Sequence, residues 1–447
     1  MIVEFSIQNF RGIKDEVVLS FIPENTDRLQ DYYIIEPIEG FRLLKMGLLY
    51  GPNGSGKTTI LKALDFLRDL VLKPAEKRTE ELSFKPFLFD AKTPRENTFL
   101  KLTFIHNGYR YVYDLAFNQE YIVSESLSKY FTNQPTNIFK RSTHVKEKFT
   151  TIKFGQKAAI NKNQKEVLEA NTLWNSTVLG GYLKTNIQSV ELEESITWFK
   201  QVLKPLITYK TDLLGFVSSK IEKQEIDKKL VVEFLRRADF KISDVFIETK
   251  KEVLPEELID FMSYLKEKGK LDEDTGKTVD EKSHSVKEVL FEHKVEKDDD
   301  ITLYRLPLQD ESSGTQRYYQ FSGLLELMLK QESVVLIDEL ESSLHPDLLL
   351  HFLLVFLANA KQSQLIATTH YRELLMQRDI VRHDAIWFTE KKKDGSTDLY
   401  SLADFDSTVI RKDTGSIYNA YISGKIGAIP FISDYYLDIA YNEKEEG

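Results

Sequence analysis

The segment GPNGSGKTT at positions 51–59 constrains the fold of this 447-residue chain more than any other stretch of it. Residues 51–58 match the pattern G-x-x-x-x-G-K-[ST]. The apolar run MGLLY at 46–50 predicts a buried strand before the match, and apolar spacing over 60–70 predicts a helix after it. A glycine loop between a strand and a helix presents backbone N–H groups to an anion. We therefore predict a phosphate-binding loop in an α/β domain.

Individual residues of this loop have distinct predicted roles. Gly54 and Gly56 allow the backbone N–H groups to turn inward around phosphates, because glycine adopts backbone angles that other residues avoid. Lys57 reaches the terminal phosphates, and the hydroxyl of Thr58 is a ligand for Mg²⁺. The predicted phosphate-contacting residues are Asn53, Gly54, Ser55, Gly56, Lys57, Thr58 and Thr59.

Two further strands of the sequence end in polar residues. VVLIDE at 334–339 predicts a buried strand that closes with Asp338 and Glu339, and QLIATT is followed by His370. Because ligands bind at the carboxyl edge of a parallel sheet, Asp338 is predicted to hold Mg²⁺ and Glu339 to deprotonate the attacking water. His370 is predicted to bond a γ-phosphate or fix that water. Taken alone, the two acids are equally typical of a solvated turn. Taken alone, His370 is more typical of an ordinary surface or core histidine, and its place after the other motifs favours the functional role.

A fourth segment places serines at the predicted start of a helix. Ser312, Ser313, Gly314 and Thr315 precede an apolar stripe with helical spacing. The N-terminus of a helix has free N–H groups and the positive end of the dipole, which suits a phosphate. The alternative is an N-cap that binds no ligand.

Composition narrows the functional classes. The 60 basic and 70 acidic side chains give a net charge of −10, so the surface is not basic all over. The absence of cysteine excludes disulfides, thiolate nucleophiles, zinc hooks and iron–sulfur clusters. The apolar run 348–358 is shorter than the about 20 residues that span a bilayer, and the first residues do not resemble a secretory signal. We therefore expect a cytoplasmic protein with no membrane contact.

The chain divides into three predicted parts. Residues 1–135 contain the phosphate loop and an antiparallel β subdomain, for which Asn107 and Gly108 predict a hairpin turn. Residues 136–300 are predicted to be a mainly helical insertion, with an exposed loop at 271–285. Residues 301–447 contain the serine-rich helix, the acid pair and the histidine.

The order of these motifs resembles a known family. GPNGSGKTT, ESSGTQ, VVLIDE, ESSLHPDL and ATTH resemble the phosphate loop, signature, Walker B, D-loop and switch histidine of ABC-type ATPase heads. The opening SIQNFRGI resembles the RecF, Rad50 and SMC branch, and the tail at 411–430 resembles the stand-alone prokaryotic AAA15 or RloA-like ATPases. The resemblance implies an ABC-type P-loop ATPase head, with a mixed sheet, a small antiparallel β subdomain and a helical insertion.

The resemblance also implies cofactors and a dimer. ATP and Mg²⁺ are the implied cofactors, and heads of this type form a head-to-tail homodimer or higher oligomer around ATP. On that pattern Ser312 and Gly314 contact the γ-phosphate held by the other subunit, and residues 343–345 form the D-loop at the interface. ATP binding joins the heads, and hydrolysis loosens them.

Several AAA15 relatives belong to antiphage systems, which implies a conformational switch that controls an effector partner, either a toxin or a nuclease. One alternative is a DNA-repair head of the RecF or Rad50 kind, and another is a nucleotide-gated scaffold that sequesters a toxin. The basic segment 140–165 could contact a nucleic-acid backbone, although a solvated basic face is the more usual role of such a segment. The resemblance implies that Arg11 lies near the nucleotide or a nucleic acid, and an ordinary exposed turn is an equal alternative. The Q-loop glutamine is not located, since residues 81–94 contain none.

Overall fold

The computed structural model describes residues 1–147, 149–238, 240–253, 283–297, 300–405 and 414–430. Residues 254–270 of the predicted helical insertion and most of the predicted loop at 271–285 lie outside this part of the chain. Two compact units are present. The larger comprises residues 2–206, 336–338 and 365–447, and the smaller comprises Met1 with residues 207–335 and 339–364. The three predicted parts of the chain remain a prediction.

The secondary structure alternates between long runs of strands and runs of helices. The strands are β1 (Ile2–Gln8), β2 (Val17–Ser20), β3 (Ile34–Ile38), β4 (Phe41–Leu44), β5 (Met46–Tyr50), β6 (Thr98–His106), β7 (Tyr109–Phe117), β8 (Ile122–Tyr130), β9 (Pro135–His144), β10 (Phe149–Phe154), β11 (Ile242–Val253), β12 (Ser283–Lys297), β13 (Asp300–Pro307), β14 (Ser333–Ile337), β15 (Ser363–Thr368), β16 (Ile386–Lys391) and β17 (Thr397–Ser401). The α-helices are α1 (Gln30–Tyr33), α2 (Lys57–Leu72), α3 (Lys162–Asn171), α4 (Val178–Tyr182), α5 (Val190–Thr197), α6 (Leu214–Glu222), α7 (Lys228–Arg237), α8 (Ser313–Lys330), α9 (Pro346–Asn359) and α10 (Thr414–Ile422).

An antiparallel sheet of seven strands, in the order β10-β9-β8-β7-β6-β1-β2, forms one layer of the larger unit. The predicted hairpin is confirmed: Asn107 and Gly108 have φ of 48° and 75° between β6 and β7. These left-handed angles match the twist of the paired strands. The sheet is larger than the predicted small subdomain, because β9 and β10 extend it with residues from the segment predicted as helical insertion.

A mixed sheet of five strands, in the order β14-β15-β5-β16-β17, carries the predicted loop. β5 pairs in parallel with β15 and β16, and β17 is antiparallel to β16. Every residue of β5 is buried, as expected for a strand covered on both faces. α2 follows β5 and buries Ile60, Leu61, Leu64 and Leu67, which confirms the predicted helix and the α/β fold class. The boundary between the two units passes through β14 and β15.

The C-terminal segment 414–430 packs against this sheet. The ring of Tyr421 lies 5.6 Å from that of Phe388 on β16 and 6.1 Å from that of Tyr50 at the end of β5. The Tyr421 hydroxyl donates a hydrogen bond to the carbonyl of Ala428 at 3.1 Å. The strand that enters the glycine loop is therefore supported by the tail.

The smaller unit combines helices α6 to α9 with the antiparallel sheet β11-β12-β13. Phe291 of β12 packs on Tyr319 of α8 with ring centroids 5.3 Å apart. A Cβ on Gly323 would lie 2.5 Å from Val217, so glycine allows α6 and α8 to approach closely. β11 and the described part of β12 occupy sequence that was predicted to be mainly helical. In the parts of the chain described, no helix has the length and hydrophobicity needed to traverse a bilayer.

Candidate functional site

The turn after β5 has a backbone that only glycine adopts at two key positions. Gly51 has φ of +149°, and a Cβ there would lie 2.4 Å from the Thr389 carbonyl oxygen. Gly56 has φ of +117°, and a Cβ there would lie 2.4 Å from Thr397 Oγ1. Both side chains that crowd the glycines come from the neighbouring strands β16 and β17. The loop is therefore held against the sheet as well as shaped by its own glycines.

Threonine hydroxyls from β16 and β17 fix the centre of the loop. The buried Ser55 Oγ lies 2.6 Å from Thr389 Oγ1. Thr397 Oγ1 donates to the Ser55 carbonyl oxygen at 2.8 Å. Sequence reasoning missed both threonines, because they lie more than 330 positions from the loop and no local pattern distinguishes them from other strand residues.

Helix α2 begins directly at the end of the loop. Its N-cap is Gly56, which has no side chain to cap the N–H groups of the first turn. Lys57 is 5% exposed, and its ammonium donates to the carbonyl oxygens of Gly51 at 2.7 Å and Pro52 at 3.1 Å. A helix start without a side-chain cap, beside a lysine ammonium, suits an anion.

A carboxylate stands beside this helix start. Asp338 follows β14 and is 7% exposed. Its Oδ1 accepts hydrogen bonds from Thr58 Oγ1 at 2.9 Å and from Thr368 Oγ1 at 2.7 Å. The structure thus brings the predicted metal ligands Thr58 and Asp338 together, and it adds Thr368, which the sequence did not single out.

The donor set at this point suits a hard divalent cation. A hydroxyl and one carboxylate are oxygen ligands, and Mg²⁺ commonly takes one or two carboxylates together with waters and substrate phosphates. Within the described ranges, no group of three or more His, Cys, Asp or Glu side chains could hold a metal by itself. The residues therefore fit a cation that a phosphate helps to bind.

Glu339, the next residue in the chain, turns sharply away from the strand. Its φ is +53°, in the left-handed region that few residues other than glycine adopt. Its carbonyl accepts a hydrogen bond from Ser342 N–H at 2.9 Å, which closes the turn. Strained angles of this kind are concentrated at functional sites. The catalytic role of Glu339 remains a prediction.

His370 lies at the same sheet edge as the loop. β15 and β5 run parallel with Thr368 opposite Leu49, and Thr369 N–H donates to the Leu49 carbonyl oxygen at 3.0 Å. Continuing that register places His370 opposite Gly51. The histidine is exposed. The structure therefore brings the predicted switch histidine to the edge where the phosphate loop begins.

In the smaller unit, the predicted serine-rich helix start is confirmed as a helix start. Ser312 is the N-cap of α8, and its Oγ accepts a hydrogen bond from Thr315 N–H at 3.1 Å. Ser312 and Ser313 are exposed, whereas Thr315 is buried. A Cβ on Gly314 would lie 3.4 Å from the carbonyl oxygen of Ser343, so the predicted signature and D-loop residues are neighbours.

The basic segment 140–165 is divided by the structure. Arg141 is 2% exposed and donates to the Trp174 carbonyl oxygen at 3.0 Å. Its charge is therefore buried and does not contribute to a basic surface. Lys140 and Lys153 are exposed and directly opposite each other on β9 and β10. The ring of Phe149 is 47% exposed on the same strand as Lys153. Part of the segment is therefore a solvated basic face.

The chain is similar to one protein family and to solved structures of SMC heads. The family described as AAA_15, AAA ATPase domain, matches residues 1–374. The chain is similar to an SMC head bound to the C-winged helix domain of ScpA, with a TM-score of 0.41 and 12% identity over 90% of this chain and 97% of that one. It is also similar to the SMC head domain from Thermotoga maritima, with a TM-score of 0.35 and 13% identity over 90% and 98% of the two chains. No curated protein matches the chain.

The family match includes the glycine loop, the serine-rich helix start, the acid pair and His370. It accounts for a phosphate loop on a mixed sheet, since an ATPase must bind a nucleotide. The chain therefore belongs to the AAA_15 family of AAA ATPase domains, which confirms the predicted family and the predicted ATPase activity.

Proposed function

We propose that this ATPase holds ATP and Mg²⁺ at the start of α2 and uses hydrolysis to switch between two assembly states. The observation that carries the proposal is the carboxylate of Asp338, which lies 2.9 Å from the Thr58 hydroxyl at the uncapped helix start. Backbone N–H groups of residues 53–59 would bind the phosphates, and Thr58 and Asp338 would hold the cation.

The chain's own residues supply the remaining chemistry. The Lys57 ammonium, now bonded to two loop carbonyls, is within the loop that a phosphate chain would enter and would transfer its hydrogen bonds to phosphate oxygens. Glu339 would accept the proton of the attacking water, and His370 would orient the γ-phosphate. Mg²⁺ would supply charge neutralisation of the phosphate oxygens.

The second half of the site comes from another subunit in this proposal. Ser312, Ser313, Gly314 and Thr315 would contact the γ-phosphate of ATP held by a second copy of the chain. The exposure of Ser312 and Ser313 at the start of an 18-residue helix supports this role, because hydroxyls at the positive end of a helix dipole suit a phosphate. ATP would join two heads, and hydrolysis would release them.

The biological output that we propose is control of an effector partner, a toxin or a nuclease, in antiphage defence. Support for this output comes from the likeness of the motifs and tail to AAA15 ATPases. A scaffold that merely sequesters its partner would assemble with ATP but not turn it over. Measuring turnover beside ATP-dependent assembly therefore distinguishes a switch from a scaffold.

A DNA-binding role is a second candidate, favoured by one observation. Lys140 and Lys153 are exposed on adjacent strands, and Phe149 is exposed along the same strand as Lys153. Basic and aromatic side chains on one surface suit a single-stranded backbone and its bases. ATP-stimulated DNA affinity that falls with salt, and falls again in a Lys140→Glu, Lys153→Glu variant, would support it.

The central experiment compares Glu339→Gln with Lys57→Ala. Glu339→Gln should slow turnover on the order of 10³-fold while it retains ATP and increases the dimer fraction in light scattering. Lys57→Ala should abolish nucleotide binding and leave the chain monomeric at the same concentration. If turnover survives Glu339→Gln unchanged, another group is the base and the proposed mechanism fails.

A further inference from the structure

The residue before the serine-rich helix start is held from two sides. Glu311 Oε1 lies 2.6 Å from Nε2 of His293, a residue of β12. Both side chains are largely buried, with 20% of His293 and 12% of Glu311 exposed. The Glu311 carbonyl oxygen accepts a hydrogen bond from Gln316 Nε2 at 2.9 Å. Glu311 therefore joins the three-stranded sheet to the first turn of α8.

This contact determines where the helix start points. Ser312 follows Glu311 directly, and its Oγ both caps Thr315 N–H at 3.1 Å and lies 2.8 Å from Thr315 Oγ1. The other side of this turn is filled by the Ser343 carbonyl, which a Cβ on Gly314 would approach to 3.4 Å. Ser312 cannot shift without breaking its bonds to Thr315 or moving Glu311.

The sheet that supplies His293 ends at β13 within the described part of the chain. Among these residues β13 pairs with β12, and Tyr304 lies opposite His293. Ile301 and Leu303 are 59% and 56% exposed. β13 then leads through the short turn Leu308–Asp310 into Glu311. A displacement of β13 would reach Glu311 both along the chain and through His293.

We infer that His293 is a positioning residue for ATP hydrolysis. By bonding Glu311 it sets the orientation of Ser312 to Thr315, and it couples the sheet β11-β12-β13 to the γ-phosphate contact. This inference rests on the proposed role of the helix start in a second subunit's site.

The test replaces His293 by glutamine and by asparagine in the full chain. A glutamine amide can reach the position of Nε2 and donate to Glu311, whereas an asparagine amide is too short. We expect His293→Asn to lower kcat roughly tenfold and His293→Gln to restore most of it. ADP affinity should be the same in both, because ADP lacks the γ-phosphate that the helix start contacts and the phosphate loop keeps all its own residues. His144→Ala, an exposed histidine on β9, is the control that should change nothing.

A double-mutant cycle tests whether His293 affects turnover through its contact with Glu311. Glu311→Ala should lower kcat as His293→Asn does, and the two together should cost no more than either alone, since both break one contact. Additive losses would overturn the inference, as would equal rates for the asparagine and glutamine variants.

Ser312→Ala separates this inference from the proposed function. If Ser312→Ala slows turnover and His293→Asn does not, the proposed site stands and the positioning role is wrong. If His293→Asn slows turnover and Ser312→Ala does not, His293 acts by another route and the inference is equally overturned. Thermal unfolding of each variant shows whether a loss of rate is a loss of fold.

Discussion

The helices α2 and α8 begin in opposite ways, although both starts are predicted to meet phosphate. α2 starts from Gly56, which has no side chain and leaves the first-turn N–H groups without a side-chain cap. α8 starts from Ser312, whose own hydroxyl oxygen accepts Thr315 N–H. N–H groups at a helix start that no side chain caps suit an external anion. The start of α2 therefore suits an anion through its backbone, whereas the start of α8 has its own side-chain cap and presents the exposed Ser312 and Ser313.

Alanine at Gly51, in the loop before α2, and at Gly314, in the first turn of α8, should have the most different effects on stability. Gly51→Ala places a Cβ 2.4 Å from a backbone oxygen at a φ of +149°, so we expect a loss of about 3 kcal/mol in unfolding free energy, and no ATP binding. Gly314→Ala meets its neighbour only at 3.4 Å and should change stability by less than about 1 kcal/mol. Chemical denaturation measures both. Equal losses would mean that the two loops are equally constrained.

A negative charge at Ser312, the N-cap of α8, should have the next largest effect, and the effect should be on turnover and not on stability. Aspartate caps a helix as well as serine does, so Ser312→Asp should keep the stability of the chain. Its negative charge would face the phosphate of a second subunit, and turnover should fall roughly a hundredfold. Ser312→Ala should instead lose about 1 kcal/mol of stability. Normal turnover in Ser312→Asp would remove this helix start from the site.

Removing a supporting hydroxyl should have a smaller effect. Thr397→Val keeps the shape of the side chain but removes the hydrogen bond to the Ser55 carbonyl, which we expect to cost about 1–1.5 kcal/mol and to weaken ATP binding. Thr302→Val, on the exposed strand β13, is the matched control. Calorimetric titration with ATP compares them, and identical affinities would show that the β17 support is dispensable.

The smallest effect should come from the tail. Tyr421→Phe keeps the ring against Phe388 and loses only the hydrogen bond to Ala428, so a loss of about 1 kcal/mol or less is expected. Tyr421→Ala also removes the ring and should lower the melting temperature further. A melt in which the two variants behave alike would show that the ring does not support β5.

The sequence predicts the parts of this molecule whose signals are local. The strand, glycine loop and helix at 46–72, the hairpin at Asn107 and the N-cap at Ser312 each depend on neighbouring residues, and the structure contains all of them. The sheet β11-β12-β13 was missed, although Val245 and Ile247 alternate in the manner of a strand. The sequence before β11 has helical spacing, and the alternation within β11 is too short to stand out from it.

The partners of the loop could not be predicted for a different reason. Thr389 and Thr397 reach the loop, and Thr368 reaches Asp338, because β15 and β16 flank β5 and β17 follows β16. That order is a property of the whole sheet. A threonine in a strand is ordinary until the register is known. The same holds for His293, whose contact with Glu311 joins residues 18 positions apart across a strand pair.

The two hydroxyls on Asp338 belong to threonines, and the choice of threonine over serine has a consequence. A branched Cβ leaves few rotamers open, so the hydroxyls of Thr58 and Thr368 are already aimed when a cation arrives. Serine at either place would rotate between several orientations and would have to be frozen on loading. In the proposed function, the two threonine methyl groups would therefore orient the hydroxyls on Asp338 before the cation binds.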